Sequence, residues 1–357
     1  MNATALLHQQ GQSLWLDNIT RGMLDSGQIQ RYIDAYSVTG LTSNPSIFDN
    51  AITTGDYDAS IHTLRARGLS DEETFFELAI EDLQRAADLF AKTHECTDGV
   101  DGWVSLEVSP LLAHDTTKTI EAAKAIHARA DRPNLFVKIP GTPEGLPAIE
   151  ECIASGTPVN VTLLFDADQY RACVDAYLRG IERRVENGLD PAVGSVASLF
   201  ISRWDSAVAK SVPDEMRNRL GLVIGHEVYR AYVEVIESDR FRRLANSGAR
   251  MQRLLWASTK TKDPLASDIL YVRGLVAPFT INTMPDTTLE AFFDHGEVGE
   301  PLPRDGGAYL AQLKQFADAG VDVQALALQL QQEGARSFVD SWNSLLAKID
   351  SQKKSLH

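Results

Sequence analysis

The chain has 357 residues, 44% hydrophobic and 23% charged, the makeup of a globular protein with a sizeable core in one large α/β domain or two ordinary ones. Its net charge of −15 argues against a nucleic-acid partner, whose affinity comes from basic surface, and no apolar run is long enough to span a bilayer. Three scattered cysteines (Cys96, Cys152, Cys173) make no CxxC pair or disulfide framework, and the N-terminus lacks a signal-peptide pattern, so a cytoplasmic location is expected.

In chain order, SLWLD (13–17) is the first strand candidate and SVTGLTSN (37–44) the second. SDEETFFELAIEDLQRAADLFAKTH then opens with a capping box, Ser70 to Glu73, and keeps an apolar stripe at helical spacing. GWVSLEV (102–108) is the third strand, and DTTKTIEAAKAIHARA reads as a helix. LFVKIP (135–140) is the fourth, ended by Pro and Gly, and PVNVTLLF (158–165) is the fifth. The helix DADQYRACVDAYLRGIERRVENG precedes the sixth strand, SVASLFIS (195–202). The helix GHEVYRAYVEVIESDRFRRLANSG precedes the last two, RLLWAST (253–259) and LVAPFTINT (275–283).

Strands that alternate with amphipathic helices imply parallel pairing, and about eight of them suggest a closed (β/α)8 TIM barrel. An open doubly wound sheet is the runner-up, but its GxGxxG fingerprint after the first strand is missing. No linker, repeat or low-complexity segment divides residues 1–357, which read as one domain. The helices from about residue 305 pack on the barrel or over its mouth.

Barrel active sites sit at the C-terminal ends of strands. There the chain places Asp17, then Thr42 and Asn44 in TSN, Glu107, and Lys138. Asn160 and Thr162 interrupt the fifth strand; Ser198 and Phe200 lie on the sixth, with Arg203 just beyond; Ser258, Lys260 and Lys262 end the seventh. Any one of these alone is more often a satisfied core or edge residue. Their recurrence at the same end of nearly every strand points to one cavity.

Lys138 is the sharpest clue, because lysine is almost never buried without a partner. Burial lowers a lysine pKa by up to about 3–5, and the neutral amine attacks carbonyl carbons. Lys138 is therefore a candidate Schiff-base lysine, with the neighbouring carboxylates as proton carriers and the basic residues as a phosphate site.

At this point the residues resemble a known family. GLTSNPSIF (40–48), SLEVSPLLAHDT, and LFVKIPGTPEGLPAIEECIASGTPVNVTLLF look like the signature strands of transaldolases, in consistent order from Asp17 to about Lys262. The length and LLWASTKTKDP look most like the bacterial branch typical of actinobacteria. The resemblance implies a barrel permuted relative to other lysine aldolases, with its Schiff-base lysine on strand 4, the strand that the pattern reading assigns to Lys138. It implies transfer of a dihydroxyacetone unit from sedoheptulose 7-phosphate to glyceraldehyde 3-phosphate, giving erythrose 4-phosphate and fructose 6-phosphate, in the non-oxidative pentose phosphate pathway. No metal or organic cofactor is implied.

Carried over, Lys138 attacks the ketose, Glu107 moves protons through a water shared with Thr162, and Asp17 takes the hydroxyl proton that triggers C–C cleavage. Asn44, Asn160 and Ser198 would bind hydroxyls, Arg203 the phosphate, and Thr42, Phe200 and Ser258 would line the substrate. Two departures stand out: Lys260 takes the place of a second phosphate arginine, with Lys262 an equal candidate, and Trp256 replaces a glycine. A fructose-6-phosphate aldolase would carry glutamine at Glu107 and a tyrosine near Phe200. Other rivals are a non-catalytic sugar-phosphate-binding barrel and a metal-dependent aldolase, although HEVYR lacks the second histidine of HExxH. The expected partners are sugar phosphates, with neither nucleic acid nor membrane, and the chain would work as a monomer or homodimer.

Overall fold

Each short apolar run is buried along its whole length, as a parallel strand covered on both faces must be. In the computed structural model, which describes residues 2–354, these runs become β1 (Ser13–Leu16), β2 (Val38–Leu41), β3 (Trp103–Glu107), β4 (Leu135–Pro140), β5 (Val159–Leu164), β6 (Ser195–Phe200), β7 (Arg253–Ala257) and β8 (Ile281–Met284). Neighbours pair in parallel in chain order, and β8 returns to β1, where Ser13 faces Ile281. The sheet is thus a closed eight-stranded barrel ringed by helices, a (β/α)8 fold. Met1 and residues 355–357, which the single-domain reading includes, lie outside the described residues. Among the described residues no helix is long and apolar enough to cross a membrane.

The helix Asp71–Cys96 opens with the expected capping box, Ser70 and Glu73 each satisfying the other's backbone. Three boundaries differ from the sequence reading by more than two residues. The last strand begins at Ile281, not 275. Leu275, Val276 and Ala277 are wholly buried, but Pro278 has no N–H for a ladder and Phe279 has φ +62°. The second strand stops at Leu41, and Asn44 caps the helix Pro45–Ala51 that follows. The helical stretch 225–248 divides into Leu220–Ile236 and Asp239–Asn246, the second with its own cap, Ser238. Trp256, despite replacing a glycine, continues β7 in register with Leu199 and Asn282.

The N-terminal end of the barrel is closed by Asp101. It accepts from Ser13 and from Trp15 Nε1 (2.9 Å), and lies 3.3 Å from buried Arg253. Gly40 on β2 lies against Trp15, where a Cβ would fall 2.5 Å from the indole.

The C-terminal end is crossed by the helix Val323–Lys354. Its buried stripe is Ala327, Leu330, Gln331, Gly334, Phe338, Trp342, Leu345 and Ile349, the spacing of one helix face. Gln331 Nε2 donates to the carbonyls of Gly141 (3.1 Å) and Leu163 (3.0 Å), just past β4 and within β5. Further along, Ser341 bonds Ser46 (2.7 Å), Lys348 pairs with Asp49 (2.7 Å), and Trp342 meets Phe75 edge-on at 4.9 Å. The helix therefore reaches from the β4–β5 rim to the helix that follows β2.

Candidate active site

The register of β3, β4 and β5 sets Glu107, Lys138 and Asn160 level with one another. Lys138 is 4% exposed and Glu107 3% exposed. Lys138 Nζ donates to the Ser43 carbonyl (3.1 Å) and lies 3.4 Å from Glu107 Oε2. That separation is an ion-pair contact, longer than a good hydrogen bond. Neither Glu107 oxygen has a hydrogen-bond partner. Burial therefore pushes the carboxyl up to about 7, against the opposing pull of Lys138. Thr162 follows Asn160 by two on β5, so it faces the same side, and its buried hydroxyl has no partner either.

Asp17 lies one residue past β1. Thr42 Oγ1 donates to it at 2.7 Å, and Thr283 Oγ1 lies 2.7 Å from Thr42 Oγ1. Thr42 has one hydroxyl hydrogen, so while it donates to Asp17 the Thr283 hydroxyl must donate to Thr42. Asp17 is half-buried, yet it lies deep enough that desolvation raises its pKa, opposed by Lys138, Thr42 and Lys262.

The polar residues around Lys138 bond in series. Ser43 donates to the Ser105 carbonyl (2.7 Å), Asn160 Nδ2 to Ser105 Oγ (3.1 Å), and Ser198 to Asn160 Oδ1 (2.7 Å). Asn160 and Ser198 are thus tied to each other, with Asn160 keeping one N–H to spare. Asn44 uses its side-chain oxygen to cap Ile47 N (3.1 Å), which leaves its NH2 as a donor.

Beside these, just past β6, lies a cationic group. Arg203 stacks over Phe200 (5.1 Å) and reaches Phe338 (6.0 Å). Burial lowers its pKa, partly offset by Glu333 and Glu107. Lys262 is lowered first by desolvation, then by Lys260 and Arg203, while Asp17 opposes this, so it shares a field with both ends of the site although the residue is exposed. Lys260 is exposed. Ser258 has φ +55° and bonds Ser202 through its hydroxyl (2.9 Å), which turns the chain at the end of β7.

The structure thus gathers Asp17, Thr42, Glu107, Lys138, Asn160, Thr162 and Ser198 at one level or just above, with Arg203 and Lys262 to one side. Sequence reasoning missed Thr283, the Ser43 carbonyl and the helix residues Gln331 and Phe338. The signal available was a polar Gln331 and a Gly334 on an otherwise apolar helix stripe. A separate cavity of about 540 Å³, lined by Trp103, Phe136, Phe241 and Arg250, lies at the opposite end of the barrel and holds none of these groups. An amine beside a carboxyl poised near neutrality, with a second carboxyl and cations nearby, suits addition to a carbonyl and proton transfer on an anionic substrate.

Residues 14–349 match the family model described as transaldolase/fructose-6-phosphate aldolase. The chain is 44% identical to a protein named transaldolase from Mycolicibacterium smegmatis, across 98% of each chain. It is 44% identical to one of that name from Mycobacterium tuberculosis H37Rv, across 96% of this chain and 95% of the relative. A transaldolase from Thermobifida fusca is 44% identical across 97% of each.

Proposed function

Because the chain belongs to the transaldolase/fructose-6-phosphate aldolase family, we propose that it is a transaldolase, a transferase that moves a dihydroxyacetone unit between sugar phosphates through a lysine Schiff base. The observation that carries this reading is Lys138, buried on β4 beside Glu107, in a chain matched over nearly its full length by transaldolases. The donor and acceptor are sedoheptulose 7-phosphate and glyceraldehyde 3-phosphate, the products are erythrose 4-phosphate and fructose 6-phosphate, and the enzyme serves the non-oxidative pentose phosphate pathway in the cytoplasm.

Lys138 adds to the ketose carbonyl. Glu107, poised near neutrality, gives and takes the protons of carbinolamine formation and dehydration. A water bonded to both Glu107 and Thr162 would satisfy two orphaned groups and carry those protons. Asp17, oriented by Thr42, removes the hydroxyl proton that starts C–C cleavage and later returns it. Asn44, Asn160 and Ser198 bind the hydroxyls of the retained unit. Arg203 and Lys262 bind the phosphate, the first through a planar fork of donors and the second as a point charge. Phe200 and Ser258 line this end, and Lys260 remains in solvent. Glutamate rather than glutamine at position 107 supports transfer over a fructose-6-phosphate aldolase.

The test is to mix the protein with fructose 6-phosphate, reduce with borohydride, and map the adduct by mass spectrometry. A three-carbon adduct on Lys138, discharged when erythrose 4-phosphate is added before reduction, is the expected result. Sugar-phosphate binding with no adduct would leave a non-catalytic barrel.

A further inference from the structure

A transaldolase must hold a reactive enamine while one aldose leaves and another enters. Water is the competing partner. If a proton reaches the enamine carbon, water adds to the resulting imine and the lysine amine departs. One water is consumed, dihydroxyacetone is released, and Lys138 is restored with no change of oxidation state. Something must disfavour that route.

Three residues on one stripe of the C-terminal helix meet the walls of this chamber. Gln331, 5% exposed, donates through one nitrogen to the carbonyls of Gly141 and Leu163. Leu163 has φ +60°, and the β5–β6 register shifts there, so Gln331 binds a carbonyl at an irregular point of the sheet. One turn on, Gly334 lets the helix come close; a Cβ there would lie 2.8 Å from Leu163 and 2.9 Å from Arg203 Nη1. One further turn on, the Phe338 ring stands 5.9 Å from Lys138 Nζ and 6.0 Å from Arg203 Cζ. It is 4% exposed.

Anchoring the helix does not require an aromatic ring between two basic side chains. Trp342 does that work one turn later, against Phe75 and Phe76. Phe338 instead presents an apolar surface beside both the reacting nitrogen and the phosphate-binding guanidinium, where a side chain excludes water from each.

We infer that Phe338, held in place by Gln331, is a specificity-determining residue that keeps water from the three-carbon unit on Lys138 and so favours transfer over release. This rests on the transaldolase reading above. Gln331 is a positioning residue, acting through the helix it ties down.

The experiment uses full-length wild type, Phe338→Ala, Phe338→Leu and Gln331→Ala with fructose 6-phosphate and erythrose 4-phosphate. Free dihydroxyacetone and sedoheptulose 7-phosphate are both quantified, and thermal midpoints are recorded. The ratio of release to transfer should rise roughly tenfold in Phe338→Ala, and less in Phe338→Leu and Gln331→Ala, about 1.4 kcal/mol in relative barrier for the first. If Phe338→Ala does not fold, Phe338→Leu and Gln331→Ala carry the same test. An unchanged ratio, with both products falling together, would make Phe338 a packing residue and overturn the inference. Failure of the wild type to form a borohydride adduct would overturn the transaldolase reading itself, a separate result.

Discussion

Lys138 Nζ lies 3.4 Å from Glu107 Oε2, and both side chains are almost wholly removed from solvent. The pair places the nucleophile and a proton carrier in one enclosed volume. Replacing Lys138 with arginine keeps a long basic side chain and removes the primary amine that attacks the carbonyl. K138R should form no borohydride adduct and lose at least about 10³-fold in kcat, yet still bind fructose 6-phosphate in calorimetry.

Glu107 also links stability to pH. The folded chain keeps its proton up to about pH 7, whereas the ordinary glutamate value is 4.5. Between those values the folded state binds more protons than the unfolded state, so stability falls as pH rises through the window. E107Q has no such proton to lose. From pH 4.5 to 7, the wild type should lose up to about 3 kcal/mol relative to E107Q, read by urea denaturation at several pH values. Parallel pH profiles for the two proteins would remove Glu107 as the cause. In the reaction, E107Q should lower kcat by about 10²–10⁴-fold.

Thr283 touches Asp17 only through Thr42. T283V removes the donor at the far end of that series. One net hydrogen bond is worth about 1 kcal/mol, so kcat should fall roughly fivefold while KM changes little. An equal rise in KM with constant kcat would place Thr283 in ground-state binding instead.

The two lysines after β7 should separate in a simple comparison. Both are exposed, but Lys262 interacts electrostatically with Asp17 and Arg203. K262A should raise KM for fructose 6-phosphate by about tenfold, the loss of one charge-assisted contact of about 1.5 kcal/mol. K260A should have the smaller effect in the same steady-state assay. The reverse order would exchange their assignments.

At the barrel floor, G40A would drive a methyl into Trp15, 2.5 Å from the indole in the unrelaxed fold. Overpacking of this kind costs about 1–3 kcal/mol. Chemical denaturation should show that loss, with no change in which lysine forms the adduct.

Much of this architecture could be read from the sequence because burial on both faces leaves continuous apolar runs. Lys138 stood out in such a run, and its level neighbours Glu107 and Asn160 came from the same kind of pattern. Residues 275–280 misled for the same reason. Leu275, Val276 and Ala277 are wholly buried outside the ladder, Leu275 against Gly225, where a methyl would lie 2.5 Å from its Cδ2. Thr283 and Gln331 could not be found by local periodicity. Thr42 and Thr283 are 241 positions apart, and Gly141 and Gln331 are 190 apart, so only closure of the fold brings them together.

That closure has a cost in time. Ser13 pairs with Ile281, so the first barrel strand to leave the ribosome waits for the last. At about 5–20 residues per second, the interval is roughly 15–55 s. Throughout it, one edge of β1 lacks its partner, and Trp15, wholly buried in the finished barrel, lacks its neighbour Thr283.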